Sequence, residues 1–309
     1  MTNKITSRLA VVSVATLFSV SATAQDTNSP PASIAQPLLQ KLPASGVQAS
    51  LNFSYDASSK AKFQGTRLGD SDATALNLAV NTQIALDKKW FIPLGLQSDN
   101  YFLGTVSGAP IPDNIHTLRF NTGLGWHFND QWTFTALLSP SLYRFEDVGG
   151  SDIGWAGGAV ATFQQNPALT WSFGFFVAPD SDVPVLPAVG LHWLINQHYT
   201  LEVGFPKTRL TYRVDPKWSL YTGVDLNGTT FRSGETLGTK TGYPKYNNAL
   251  ATYRDIRLGV GAGYEVGHGL RAEIEAGCSV YRDINYNDID QDVKFNPAPY
   301  VRLGLSIRL

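Results

Sequence analysis

Val47-Gln48-Ala49-Ser50-Leu51-Asn52-Phe53-Ser54-Tyr55-Asp56 sets Val47, Ala49, Leu51, Phe53 and Tyr55 on one side of an extended chain and the polar residues between them on the other. A period of two marks a strand, because a helix would space its apolar residues by three and four. The same alternation returns near 74–86, 90–98, 116–128, 132–143, 153–164, 168–177, 185–194, 198–205, 208–214, 218–226, 254–266, 270–282 and 298–309, which with 47–56 gives fourteen candidates. A chain built almost wholly of strands must dispose of its edges, and closing the sheet does so most completely. In hydrocarbon, closure is compulsory. The expected fold class is therefore all-β, an antiparallel transmembrane β-barrel of 14 strands. Twelve is the rival count, since 198–205 and 208–214 are short, and both even counts return the chain to the same side.

Turn lengths give the two ends of this barrel different characters. Asp87-Lys88-Lys89, Asn129-Asp130-Gln131, Gln165-Asn166-Pro167, Ile195-Asn196-Gln197, Asp215-Pro216-Lys217 and Gly267-His268-Gly269 are tight connections at every second junction. Those between them, notably 57–73, 99–115, 227–253 and 283–297, read as longer loops. Short turns on one side and long loops on the other predict periplasmic turns and outer loops. Trp90, Trp132, Trp171 and Trp218 open strands just after short turns, while Trp126 and Trp193 close strands just before them. All six share the apolar phase, so one aromatic belt is expected at that rim, extended by Phe128, Tyr199 and Tyr264. Tyr55, Trp155, Phe175, Phe205 and Tyr253 are the candidates for a second belt at the other rim. A secreted β-sandwich is the soluble alternative, but it would scatter its aromatics through a core.

Composition narrows the remaining classes. The chain has no apolar run of twenty residues, so helical membrane spans are excluded while barrel strands remain open. Its 24 Lys and Arg against 25 Asp and Glu supply no basic footprint for nucleic acid. Lys4 and Arg8, the apolar stretch Leu9 to Val20, and Ala22-Thr23-Ala24 form the three parts of a secretory signal, expected over 1–24. Residues 25–46, with Pro30-Pro31, Pro37 and Pro43, read as a flexible periplasmic arm, with a lumen plug built on Ile34 to Leu42 as the alternative. The barrel is then expected over 47–309, in the outer membrane of a Gram-negative cell. The single Cys278 excludes an internal disulfide and lies on the apolar face.

The polar face carries the candidate site. Glu202, Arg209, Arg213, Arg257, Glu265, Arg271, Glu273, Glu275 and Arg302 share the inward phase and concentrate charge in the C-terminal half. If 267–269 turns the chain, Glu265 faces Arg271, Gly263 faces Glu273 and Gly261 faces Glu275, so large ionised groups lie opposite glycines. Such a lining suits a passive channel for small polar solutes or ions. A closed structural or surface-interaction barrel is the alternative, with the charges paired into a network. An outer-membrane hydrolase is a third reading, but His116 with Ser107 is its least poor pair, and His127, His192, His198 and His268 lie near the short turns. The oxygen-rich 283–292 loop lacks the glycine and final glutamate of an EF-hand, and 238–242 lacks a phosphate loop's glycine before its lysine. No catalytic residue, metal site or cofactor is expected.

The terminal segment 300–309 resembles the assembly signal of bacterial outer-membrane barrels. Arg302, Gly304 and Ile307 match its polar, glycine and hydrophobic positions, and Leu309 replaces its final aromatic. That resemblance implies the outer-membrane assembly machinery as a partner, beside outer-membrane lipid and lipopolysaccharide. Leu186-Pro187-Ala188-Val189-Gly190-Leu191-His192-Trp193, followed by 201–207 and 212–214, also resembles an uncharacterised family of predicted Gram-negative outer-membrane barrels. The resemblance implies the fold and no activity.

Overall fold

The computed structural model describes residues 46–145, 149–181 and 184–309, so the signal expected over 1–24 and all but Gly46 of the expected arm lie outside the described residues. Strands β1 (Val47–Phe63), β2 (Thr66–Ala85), β3 (Trp90–Leu103), β4 (Asn114–His127), β5 (Trp132–Leu142), β6 (Ile153–Asn166), β7 (Leu169–Val177) and β8 (Val185–Leu194) run up and down in sequence order. They continue through β9 (Tyr199–Val203), β10 (Lys207–Arg213), β11 (Trp218–Arg232), β12 (Leu250–Gly267) and β13 (Leu270–Tyr286), to β14 (Gln291–Phe295) and β15 (Ala298–Arg308). Both β14 and β15 pair with β13 on one side and β1 on the other, so they are two parts of one strand broken at Asn296-Pro297. Pro297 has no N–H to give the ladder, which is why the break falls there. The sheet closes as an antiparallel fourteen-stranded barrel. Its seam runs from Gln48 opposite Arg308 to Asp56 opposite Tyr300, and the backbones of Val47 and Leu309 exchange hydrogen bonds at its end.

Four of the short turns share one construction. Asp87 Oδ1 accepts from the N–H groups of Lys89 (2.6 Å) and Trp90 (2.7 Å); Asn129 does the same for Gln131 and Trp132, Asn196 for His198 and Tyr199, and Asp215 for Lys217 and Trp218. Each turn is thus an Asx residue followed three positions later by the aromatic that opens the next strand. The side chain satisfies backbone donors that the reversal would leave open. The N–H of Lys89, then that of Trp90, holds the Asp87 carboxyl below the usual carboxylate range. A depressed carboxyl stabilises the fold above its unfolded pKa, and that contribution is lost as pH falls through the lower folded value. Asp87→Ala is therefore expected to lower the urea midpoint at neutral pH, with the difference from the parent closing as acid is added. Asp87→Asn keeps the acceptor and should lose less; equal midpoints for all three proteins at neutral pH would remove the turn from the account.

The wall reverses its pattern along its height. On the short-turn side, outward residues such as Leu51, Phe53, Leu78, Leu96, Leu138, Val260, Ile274 and Leu303 are apolar and exposed, while inward neighbours are polar. Towards the long-loop rim, Ala61, Phe63, Ala73, Tyr101, Leu103, Ile115, Phe231, Tyr253, Ile284, Tyr286, Val293 and Phe295 turn inward and form one core. Two inturned connections complete it. Val106, Ala109 and Ile111 come from 104–113, and Tyr246 and Ala249 from the stretch holding α1 (Leu237–Thr241) and the single turn Pro244–Tyr246. Tyr286 Oη donates to the Pro110 carbonyl, and Ser233 Oγ bonds the Tyr246 carbonyl at 2.6 Å.

This reversal corrects the expected loops. Most of 57–73 and 283–297 and the two ends of 227–253 are strand, and β1 and β2 meet in a two-residue turn at Gln64-Gly65, both with positive φ. Such a turn matches the twist of the strands it joins. It also corrects the second belt: Tyr55, Trp155 and Phe175 are exposed on the outward face, but Tyr253 is wholly buried against Tyr101. Tyr253 shares the inward phase of Asp255 and Arg257. Phe205 packs inside with Leu137, Phe176 and Leu186, in the irregular link between β9 and β10 where alternation gives no direction.

Candidate functional site

The interior below the apolar core has two unlike walls. Inward residues of β1 to β4 include Gln48, Ser50, Asn52, Asn77, Asn81, Gln97 and Asn121, an amide-rich lining that also holds the buried charges of Asp56, Asp99 and Arg119. Asp99 accepts from Asn77 (2.8 Å) and Gln97 (3.0 and 3.1 Å), and Arg119 Nε donates to Ser141 Oγ (3.2 Å). Across the barrel, β10 to β15 carry the denser set of charges. The registers Glu265↔Arg271, Gly263↔Glu273 and Gly261↔Glu275 bring the groups of the β12–β13 hairpin together.

Glu273 stands at the centre of this wall. It accepts from Arg209 Nη1 (3.2 Å), Arg271 Nε (3.0 Å) and Tyr221 Oη (3.4 Å). Arg209 reaches from β10 past β11 and β12, lies 3.5 Å over the Tyr221 ring, and also meets Glu275 at 3.5 Å. Arg302 bridges Asp225 (2.6 Å) and Glu275, and Lys207 approaches Asp225 at 3.4 Å. Arg271 adds Glu265 and Ser219. Nearer the apolar core, Arg257 joins Asp56 (2.7 Å) and Asp255 (2.6 Å), and Ser279 bonds Asp255 at 2.6 Å. Charges removed from water need partners of this kind, since an unpaired buried ion costs several kcal/mol.

Glycines let these side chains lie flat. A Cβ on Gly259 would collide with Tyr300 Oη, one on Gly261 with the Tyr221 ring, and one on Gly263 with the Arg271 guanidinium. The charged groups therefore follow the wall instead of crossing the barrel. Tyr221 is the partner of Gly261 on β11, Arg271 is a diagonal neighbour of Gly263 on β13, and Tyr300 reaches Gly259 from two strands away, whereas the sequence pointed to Glu275 and Glu273 across the hairpin.

Of the nine expected lining residues, Arg209, Arg257, Glu265, Arg271, Glu273, Glu275 and Arg302 lie within these networks. Glu202 is buried on β9 beside His192 at 3.5 Å. Arg213 is half-buried at the short-turn end of β10, outside the ion pairs of the described residues. Sequence reasoning missed Asp56, Lys207, Tyr221, Asp225, Asp255 and Tyr300. Asp225 shares the phase of Ser219 and Tyr221 and was available from alternation; Lys207 was hidden because Pro206-Lys207 read as a turn.

Elsewhere, the six tryptophans stand on the outward face at the short-turn rim. Trp90 stacks on Trp126 (5.6 Å), Trp132 on Phe163 (4.7 Å), and Trp218 packs against Tyr264 (4.7 Å). Arg302, Gly304 and Ile307 lie in β15, and Leu309 follows it at the seam. His116 bonds Asn100 at 2.8 Å and faces Phe102. In 283–292, Asp283 is held by Arg254, Asp288 accepts from the Leu250 N–H, and Asp292 pairs with Lys294, so these carboxylates are engaged separately.

A family model described as Domain of unknown function (DUF6268) matches residues 47–309. No curated protein matches the sequence. Among solved structures, the chain is similar to a Pseudomonas aeruginosa FadL homologue at 11% identity and TM-score 0.46, covering 86% of this chain and 90% of that one. The COG4313 outer membrane channel from Pseudomonas putida F1 gives 9% identity and TM-score 0.47 over 87% and 97%. The Pseudomonas putida toluene transporter TodX gives 10% and 0.43 over 85% and 89%. Likeness at this level carries nothing about what this chain does.

Proposed function

We propose that this chain, which belongs to the family described as Domain of unknown function (DUF6268), is an outer-membrane barrel that passes small polar solutes or ions down their gradients. The observation that carries the reading is the reversed wall: an exposed apolar band with aromatic rings at its short-turn rim, around a lining of amides and paired charges. The band supports a hydrocarbon surrounding, and the short turns are assigned to the periplasm. Solute entering from that side passes between Gln48, Asn52, Asn77 and Asn81 on one wall and Glu265, Arg271 and Glu273 on the other. Paired charges lying on glycines supply local fields without standing in the path.

Planar-bilayer recording tests this. Folded protein should give discrete openings whose ion preference shifts when Glu275 is replaced by Gln, since Arg302 and Arg209 then lose a counter-charge. Silence from folded protein across salts and voltages would reject the channel. A second reading, a closed structural barrel, is favoured by the apolar core at the long-loop end and by the extent of pairing. It expects that same silence, together with envelope leakage when the gene is removed.

A further inference from the structure

We infer that the outward face of the long-loop rim is a docking surface for an anionic outer-leaflet glycolipid, held by Arg254, Lys294, Lys62 and Arg67. One line of sheet pairing joins the four: Arg254 is in register with Asp283, Asp283 with Lys294, Lys294 with Lys62, and Lys62 with Arg67. Their strand neighbours Tyr253, Ile284, Val293, Phe295, Ala61 and Phe63 are buried in the interior core. Alternation therefore sends the charged row to the opposite face, outside the barrel.

The row holds more positive charge than it answers. Asp283 is taken by Arg254 and by Tyr281 Oη (2.9 Å), and Asp292 by Lys294 (2.8 Å). Among the described residues, Lys62 and Arg67 have no carboxylate in ion-pair reach, yet Lys62 has a cation directly opposite on both sides. Like charges opposed across a sheet destabilise it. An anion seated between them turns that repulsion into attraction, and phosphate offers several acceptors to such a set.

Position selects the kind of anion. On β12 the row begins next to the apolar band, since Ile256 and exposed Leu258 lie just below Arg254 on the same face. On β1 the band ends at Tyr55, well short of Lys62. Four strand spacings from Arg254 to Arg67 amount to about 19 Å, and a strand tilt of about 40° makes this a climb of about 12 Å. A phospholipid presents its phosphate at one depth. A lipopolysaccharide, with phosphates on its acylated sugars and further phosphates and carboxylates in its inner core, presents anions along the whole climb.

The inference rests on the outer-membrane reading, and the test separates the two. Full-length barrel folded in neutral detergent is titrated with lipopolysaccharide bearing a phosphorylated, acid-sugar inner core. The triple variant Lys62→Gln, Arg67→Gln, Lys294→Gln should bind about a hundredfold more weakly, at about fivefold per cation. Lys217→Gln, at the other rim, should bind as the parent does, and heat-modifiable migration checks that every variant is folded. Lys294→Glu should weaken binding further than Lys294→Gln. Unchanged affinity in the folded triple variant overturns the inference, as does equal binding of phosphatidylglycerol vesicles or displacement by millimolar inorganic phosphate. A barrel that conducts but binds no lipopolysaccharide also sinks it while leaving the channel standing; a silent barrel that binds lipopolysaccharide through this row does the reverse.

Discussion

Glu273→Gln lowers the unfolding free energy of the barrel by about 3–5 kcal/mol, the penalty for removing one charge from a buried ionic cluster. The magnitude follows from what Glu273 touches. Arg209 and Arg271 both direct guanidinium groups at it, and Tyr221 donates to it from β11. Glutamine keeps the volume and one acceptor but leaves two cations facing each other across a neutral amide. Reversible urea unfolding in lipid vesicles reads the change; a loss below about 1 kcal/mol, the scale of exposed pairs, would mean that water already screens the cluster. The double variant Glu273→Leu with Arg209→Met should recover much of the loss, because matched apolar replacement of a buried pair is often neutral. The same single substitution should move the ion preference of any open state towards anions.

The second large effect concerns the long-loop end. Replacing 105–111 with a glycine-serine linker of equal length removes Val106, Ala109 and Ile111 from the core, and these connect the inturned stretch to Tyr246 and Tyr286. Openings in planar bilayers should become the dominant state, with the protein still migrating as a folded barrel. Tyr286→Phe is the finer version. It keeps the packing but leaves the buried Pro110 carbonyl without its donor, a loss of about 1–3 kcal/mol, which shifts the closed-to-open ratio by about 5- to 150-fold. If both variants conduct as the parent does, the apolar core is no gate.

Alternation made the strands legible because its phase is a direct consequence of backbone geometry. Even β9 and β10, the shortest full members of the wall, were visible as polar and apolar residues around Glu202 and Arg209. What alternation could not give was the side on which its apolar residues belong. Tyr253 is the exception, since its phase with Arg257 already sends it inward, and Lys60, Ala61, Lys62 and Phe63 alternate as regularly as Val47 to Asp56. In the candidate site, facing pairs such as Glu265 with Arg271 were readable from a turn position. The glycine fillings were not: Tyr221 over Gly261 depends on a register set across the long 227–253 connection, and Tyr300 reaches Gly259 from two strands away. The Asx-x-x-aromatic turns at Asp87, Asn129, Asn196 and Asp215 could have been found as an internal repeat.

The reversal of the wall also fixes how far such a barrel sinks. Were it to slide towards the periplasm by one pair of residues, Arg254 and then Lys60 and Lys62 would be drawn towards hydrocarbon, at up to about 2–4 kcal/mol for a cation reaching the midplane. Were it to rise, Leu51, Phe53 and Tyr55 would lose lipid for water, at about 25 cal/mol for each Å² of apolar surface exposed. Both displacements are uphill, so on the strands that carry the core the point where the apolar phase crosses from outside to inside acts as a waterline written into the sequence.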